Sequence, residues 1–304
     1  MKRYTVAAGT LILAGLLFMA GCGKEKSSSG TDQQEQEIST LSAQSDADAE
    51  STFNDLFDDV LGVNNDVGVA GSGISFGRID TLIPVNRCFT LTITRPNGTP
   101  FPVHVIVDFG TTGCTGPDGH VRKGKMIIDY TNRLIYPGAV ATTTFDGFFI
   151  DGIKVEGTHT ISNISVYPPV QVFIPKYRIE VTNGKLTKPN GNYTEWNSTR
   201  TVTQIEGMTT LDNPRDDIFK IEGSANGQVR TSTLAVRWES TITEPLIRRF
   251  TCRYIVKGRV RTIRANLPNG GNSPWVGILD FGAGLCDNQA TLTINGVTRQ
   301  ITLP

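Results

Sequence analysis

The chain has 304 residues, with 29 basic and 29 acidic side chains and 38% hydrophobic residues. Charge this evenly balanced gives no bulk attraction for a polyanion, so nucleic acid is not an expected partner. With the N-terminal segments set aside, about 250 residues remain, enough for one large domain or two small ones.

Lys2 and Arg3 precede an uncharged, mostly apolar run from Tyr4 to Ala20. That is the charged n-region and apolar h-region of an export signal rather than a spanning helix. The run closes on Met19-Ala20-Gly21-Cys22, which resembles the lipobox of bacterial lipoproteins, with Met where family members more often carry Leu. The resemblance implies a signal peptide over 1–21 and a mature chain starting at a lipidated, palmitate-bearing Cys22. It also implies a chain held to the outer membrane by acyl chains, each buried methylene contributing about 0.8 kcal/mol. Gly23, Lys24 and Glu25 are weakly similar to the charged export tags of Bacteroidota surface lipoproteins, and leave the periplasmic and cell-surface faces equally open.

Residues 22–50 are dominated by Ser, Gln, Glu, Asp and Lys and lack apolar periodicity, so a disordered tether is expected there. Over 51–62, Phe53, Leu56, Phe57, Val60 and Leu61 fall on one stripe and predict a short amphipathic helix. Thr52 with Asp55 resembles a capping box, and Gly62 supplies a stop. Asp55, Asp58 and Asp59 are expected on its polar face, where they would be repelled by anionic lipid.

A Gly- and Asn-rich linker is expected over 63–77. From 78 to 304, Thr, Val, Ile and aromatic residues punctuated by Pro, Gly, Asn and Asp predict an antiparallel meander. The expected class is all-β, as a large curled sheet or a β-sandwich, with one short N-terminal helix. Asn295-Gly296 predicts a two-residue hairpin turn near the C-terminus.

Residues 107–120, VDFGTTGCTGPDGH, and 279–292, LDFGAGLCDNQATL, carry Asp-Phe-Gly followed by a cysteine at the same distance, 172 positions apart. The related segments extend over 87–130 and 248–304. With Cys22 assigned to lipid, the repeat pairs Cys88 with Cys114 and Cys252 with Cys286. The two aspartates superficially resemble the carboxylate pair of pepsin-like proteases, but Phe109 and Phe281 stand where that family needs a hydroxyl. Alternation instead makes Phe109 and Phe281 the last core residues of their strands, with Asp108 and Asp280 accepting hydrogen bonds from turn amides. No catalytic residue is therefore expected, and the protein is read as a non-enzyme.

Other chemistry is sparse. Gly73-Ile74-Ser75-Phe76-Gly77 matches a nucleophile-elbow pattern but lacks a strand before it and a helix after it. His104, His120 and His159 share no ligand spacing, and Asp212, Asp216 and Asp217 lack that of a calcium loop, so no metal and no cofactor is expected. Seven basic residues lie between Arg248 and Arg264, of which Arg253, Lys257, Arg259 and Arg261 share a strand parity. They form either a stripe for an anionic glycan or lipopolysaccharide, or a solvated edge strand blunted by charge. Tyr193 and Trp196, in an Asn-rich stretch, form either a sugar-stacking platform or part of the core.

The string from Cys114 to Asn163, with its echo in DFGAGLCDNQATLTINGVTRQITL, resembles a family of uncharacterised Bacteroidota lipoproteins over most of residues 87–303. The resemblance implies compartment and β fold and brings no activity with it. The expected function is a lipid-anchored, non-catalytic envelope scaffold or binding module. The alternatives are a glycan-binding surface lipoprotein of a polysaccharide-uptake system and an aspartic-protease-like hydrolase.

Overall fold

The structure, a computed structural model, describes residues 28–68, 88–116, 118–167, 173–210, 216–265 and 276–303. The expected signal segment, Cys22, the Gly73–Gly77 motif and Asp212 lie outside these residues. One helix, α1 (Ser28–Gly68), comes first. Strands β1 (Thr90–Thr94), β2 (Val103–Asp108), β3 (Cys114–Thr115), β4 (Val121–Tyr130), β5 (Val140–Ile150), β6 (Ile153–Asn163) and β7 (Lys176–Thr187) follow. Then come β8 (Tyr193–Glu206), β9 (Ile218–Arg230), β10 (Ala235–Arg249), β11 (Ile255–Arg264), β12 (Val276–Ala283), β13 (Gln289–Ile294) and β14 (Val297–Thr302).

The strands form one antiparallel sheet in chain order, with β3 a short addition beside β4. The path runs from β1 to β14 without pairing its ends, a curled, unclosed sheet. Alternation sets its two faces. On β2, Val103, Val105 and Val107 are buried while His104, Ile106 and Asp108 point outward. Glycines permit the bends that curl it. Gly124 and Gly258 both have positive φ at register shifts, and a side chain at either would run into the backbone of the neighbouring strand, at Gly147 or Pro245. The Asn295-Gly296 turn joins β13 and β14 as expected, both residues having positive φ.

α1 lies in the concave face. Phe53, Leu56, Phe57 and Val60 are buried as their spacing predicts. Phe53 stacks on Trp196 at 5.5 Å, and Phe57 meets Tyr177 and Phe219 edge-on. Both halves of the sheet grip the helix. The Tyr130 hydroxyl donates to the Val60 carbonyl at 2.7 Å, Asn64 Oδ1 accepts from the Leu134 amide, and Arg248 Nη1 donates to the Asn54 carbonyl at 2.9 Å.

The helix corrects four expectations. It is 41 residues long rather than short, and from Ser28 it occupies the segment expected as a tether. Thr52 and Gly62 are internal, not caps; the Thr52 hydroxyl donates to the Asp48 carbonyl one turn back. The start of the expected linker, 63–68, is helical as well. The physical reason is that residues 38–50 enter the core without an apolar stripe. Small residues such as Ala43, Ala47 and Ala49 allow close approach, and Asp46 and Glu50 are buried with partners on the sheet.

Candidate functional site

Among the described residues, the densest chemistry lies between α1 and the concave face. Trp196 and Trp238 point inward from β8 and β10 on either side of Gly227, where a side chain would collide with the Trp238 ring. Both indole N–H groups, at 2.9 and 3.0 Å, and the Ser240 hydroxyl, at 2.9 Å, donate to one oxygen of Asp46. Burial raises the Asp46 carboxyl above its ordinary pKa, although Arg200 and the indoles pull it down.

Next along the helix, Glu50 pairs with Arg200 at 2.8 Å, and both are buried. Asp58 pairs with Arg248. Asp59 takes two bonds from Arg122, at 2.9 and 3.0 Å, and Arg122 also reaches Asp118 at 2.6 Å. Burial pushes Asp59 upward despite this cation, while Asp59 and Asp118 hold Arg122 above its own ordinary value. A bidentate guanidinium favours the ionised carboxylate, so the pair is read as charged. Its carboxylates are occupied as structural acceptors. Asp55, Asp58 and Asp59 thus do not form the solvated face expected of them: Asp59 is fully buried, and Asp55 stands 3.4 Å from His120.

These partners escaped the sequence reading, though a signal was present. Arg200 shares inward parity with Trp196, Ser198 and Val202, and Arg248 with Leu246. A cation on a buried face implies a buried acid opposite.

The Asp-Phe-Gly residues serve turns. The Gly110 amide donates to Asp108 Oδ1 at 2.9 Å, and the Gly282 amide donates to Asp280 Oδ1 at 2.8 Å. Both glycines have positive φ, and Phe109 and Phe281 are buried as expected. Lys125 lies 3.9 Å from Asp108, while Arg259 donates to Asp280 at 2.7 Å. Burial raises Asp280, but Arg259 and the Gly282 amide outweigh it and hold the carboxyl below its usual range. The cysteines pair as the repeat implies, Cys88 with Cys114 and Cys252 with Cys286.

The two recognition candidates fare differently. Tyr193 and Trp196 do not form a platform. Three residues apart on one strand, they point to opposite faces; Trp196 is buried against Phe53, and Tyr193 sits outside under the Lys185 ammonium at 4.3 Å.

In the basic run, Lys257, Arg259 and Arg261 do share the outer face of β11. β11, however, lies between β10 and β12, so the expectation of an edge strand is corrected. The stripe is also interleaved with acids. Arg259 is held between Glu244 and Asp280, each at 2.7 Å, and Arg253, just before the strand, is 3.7 Å from Asp151.

The histidines are dispersed. His104 contacts Asp129 at 2.8 Å and His120 contacts Asp151 at 2.6 Å. His159 is fully buried with neither ring nitrogen paired, and burial pushes it down to about 4. Asp217 accepts from Gln204 and is pushed up to about 7 by burial and the charge of Asp216.

A further concavity lies on the outer face. A groove of about 560 Å³ crosses β7, β8, β9 and β10. Glu180, Thr199, Ser224 and Thr241, aligned across the four strands, form one wall. Thr182, Asn197, Asn226 and Glu239 form the other, and the floor is backbone at Val181, Ser198, Ala225 and Ser240, whose side chains turn inward. Comparison with known protein families, curated proteins and solved structures found no match to this chain.

Proposed function

We propose that this protein is a lipid-anchored, non-catalytic module of the bacterial outer membrane, related to the Bacteroidota lipoproteins it resembles, and that it works by binding. The observation that carries this reading is the place of α1. The core helix begins at Ser28, six residues after Cys22. Six residues can span at most about 20 Å, so acyl chains on Cys22 would hold the start of α1 close to the bilayer. The outer face supports a sheet standing in water. Thr142, Thr160, Glu180, Thr199, Ser224 and Thr241 align in one rung across it, where a lipid-facing barrel would need apolar side chains. The turn bonds of Asp108 and Asp280 give both carboxylates a structural role and support the non-catalytic reading over the hydrolase.

A second reading, a glycan-binding surface lipoprotein of an uptake system, is favoured by the outer groove. The anchor is tested by mass spectrometry of the mature protein and fractionation of a Cys22→Ala variant. The expected results are an acylated N-terminal Cys22, and release of the variant from membranes. An unmodified Cys22, or a variant that stays membrane-bound, would overturn the reading.

A further inference from the structure

The outer groove has the size of a small-ligand site, which ordinarily runs from about 300 to 1,000 Å³, and its chemistry narrows what it can hold. Its floor lies on four interior strands, each hydrogen-bonded to a neighbouring strand on either side. An added peptide strand therefore has no free edge to join, and only side chains can meet a ligand. Those side chains are hydroxyls, two amides and two carboxylates. An apolar ligand would find little surface to bury. A phosphorylated or uronic ligand would meet Glu180 and Glu239, and no basic side chain lines the groove; Arg261 stands beside Thr241, one strand further on.

We infer that this groove binds a neutral oligosaccharide laid across β7 to β10. A polyhydroxylated chain is the partner whose own groups match the walls. Vicinal hydroxyls donate to a carboxylate or an amide oxygen, and the Asn and Thr side chains can donate in return. The dimensions agree. Adjacent strands lie about 4.8 Å apart, close to the length of a sugar ring, and three such steps make a track of about 14 Å; wall residues two apart set a width of about 7 Å. Register shifts between Val181 and Gly184 on β7, and between Thr241 and Leu246 on β10, bend both flanking strands. Glu180 already has Arg178 at 3.6 Å, so Glu239 is the carboxylate more available to a sugar.

The inference rests on the reading of the protein as a binding module, but not on its anchor, which the Cys22 experiment tests separately. The full mature protein is titrated calorimetrically with neutral tri- to hexasaccharides of glucose, mannose and N-acetylglucosamine. Polygalacturonate and spermine serve as the acidic and cationic comparators. At least one neutral series should bind saturably, with an affinity unchanged between low and high salt. Ser224→Trp, which fills the groove from an exposed position, should weaken binding roughly tenfold or more, and Glu239→Gln should weaken it several-fold. Thr144→Trp, an outward position on β5 away from the groove, should leave it unchanged. The inference is overturned if no neutral saccharide binds, if Ser224→Trp and Glu239→Gln both bind like the parent, or if spermine alone binds and salt abolishes that binding.

Discussion

The concave and convex faces of the sheet use polar side chains to opposite ends. Inside, carboxylates, guanidinium groups and indoles meet one another at bonding distance: Asp46 with two tryptophans, Glu50 with Arg200, Asp59 with Arg122. Outside, on β7 to β10, hydroxyls, amides and carboxylates line a concavity and face solvent. A buried polar group must be paired or it costs the full desolvation of that group, so the inner set specifies where the helix sits. An exposed one carries no such obligation, so outer side chains such as Glu239 and Asn226 can exchange water for a ligand, while Glu180 has Arg178 and Asn197 Oδ1 accepts from the Asn183 amide.

The comparison breaks most sharply at Arg122. Arg122→Met leaves Asp59 and Asp118 without their cation in a dry site, and unfolding in urea should show a loss of about 3 to 5 kcal/mol. A loss below 1 kcal/mol would mean that water already reaches the pair.

His159 sharpens the contrast through pH. Its folded pKa is about 4, below the ordinary 6.5, because burial disfavours the cation. The unfolded chain therefore binds the proton first. Stability from this residue is complete above pH 6.5 and drains away as pH falls toward 4, by about 3 kcal/mol in all. Asp217, pushed up to about 7, contributes with the opposite sign over the same range, so the slope is read as the difference between the parent and His159→Leu in thermal unfolding followed against pH.

Both inner predictions concern residues that the sequence reading did not place in the fold, and the reasons are physical. Alternation is a local property, so Val103, Val105, Val107 and Phe109 were legible as a core face and Asp108 as a turn acceptor. The repeat made the disulfides legible as well. The segment from Ile38 to Glu50 was not, because its burial rests on small residues and on acids whose partners on the sheet lie 140 or more residues away, as Lys188, Trp196 and Arg200 do. Hydrophobic periodicity measures only the apolar part of an interface. The interior place of β11 depends on which strands flank it, and its charge pattern carries no such information. Tyr193 and Trp196 were separable by parity alone, and composition obscured it. The groove was illegible because it exists only when four strands come into register.

The mildest perturbation belongs to the convex side. Asp108→Asn keeps one acceptor oxygen for the Gly110 amide, and chemical denaturation should register a loss of about 1 kcal/mol. A peptidase activity abolished by that substitution would contradict the turn role.

The central claim is that an acid-rich helix is held inside the sheet by paired polar groups, and native-state hydrogen exchange of the full mature protein tests it most directly. Amides from Ile38 to Asn64 should exchange as slowly as those of β8 and β10, since helix and sheet can open only together. Exchange of the stretch from Ile38 to Glu50 at the rate of an unstructured chain, with the strands still protected, would contradict the account.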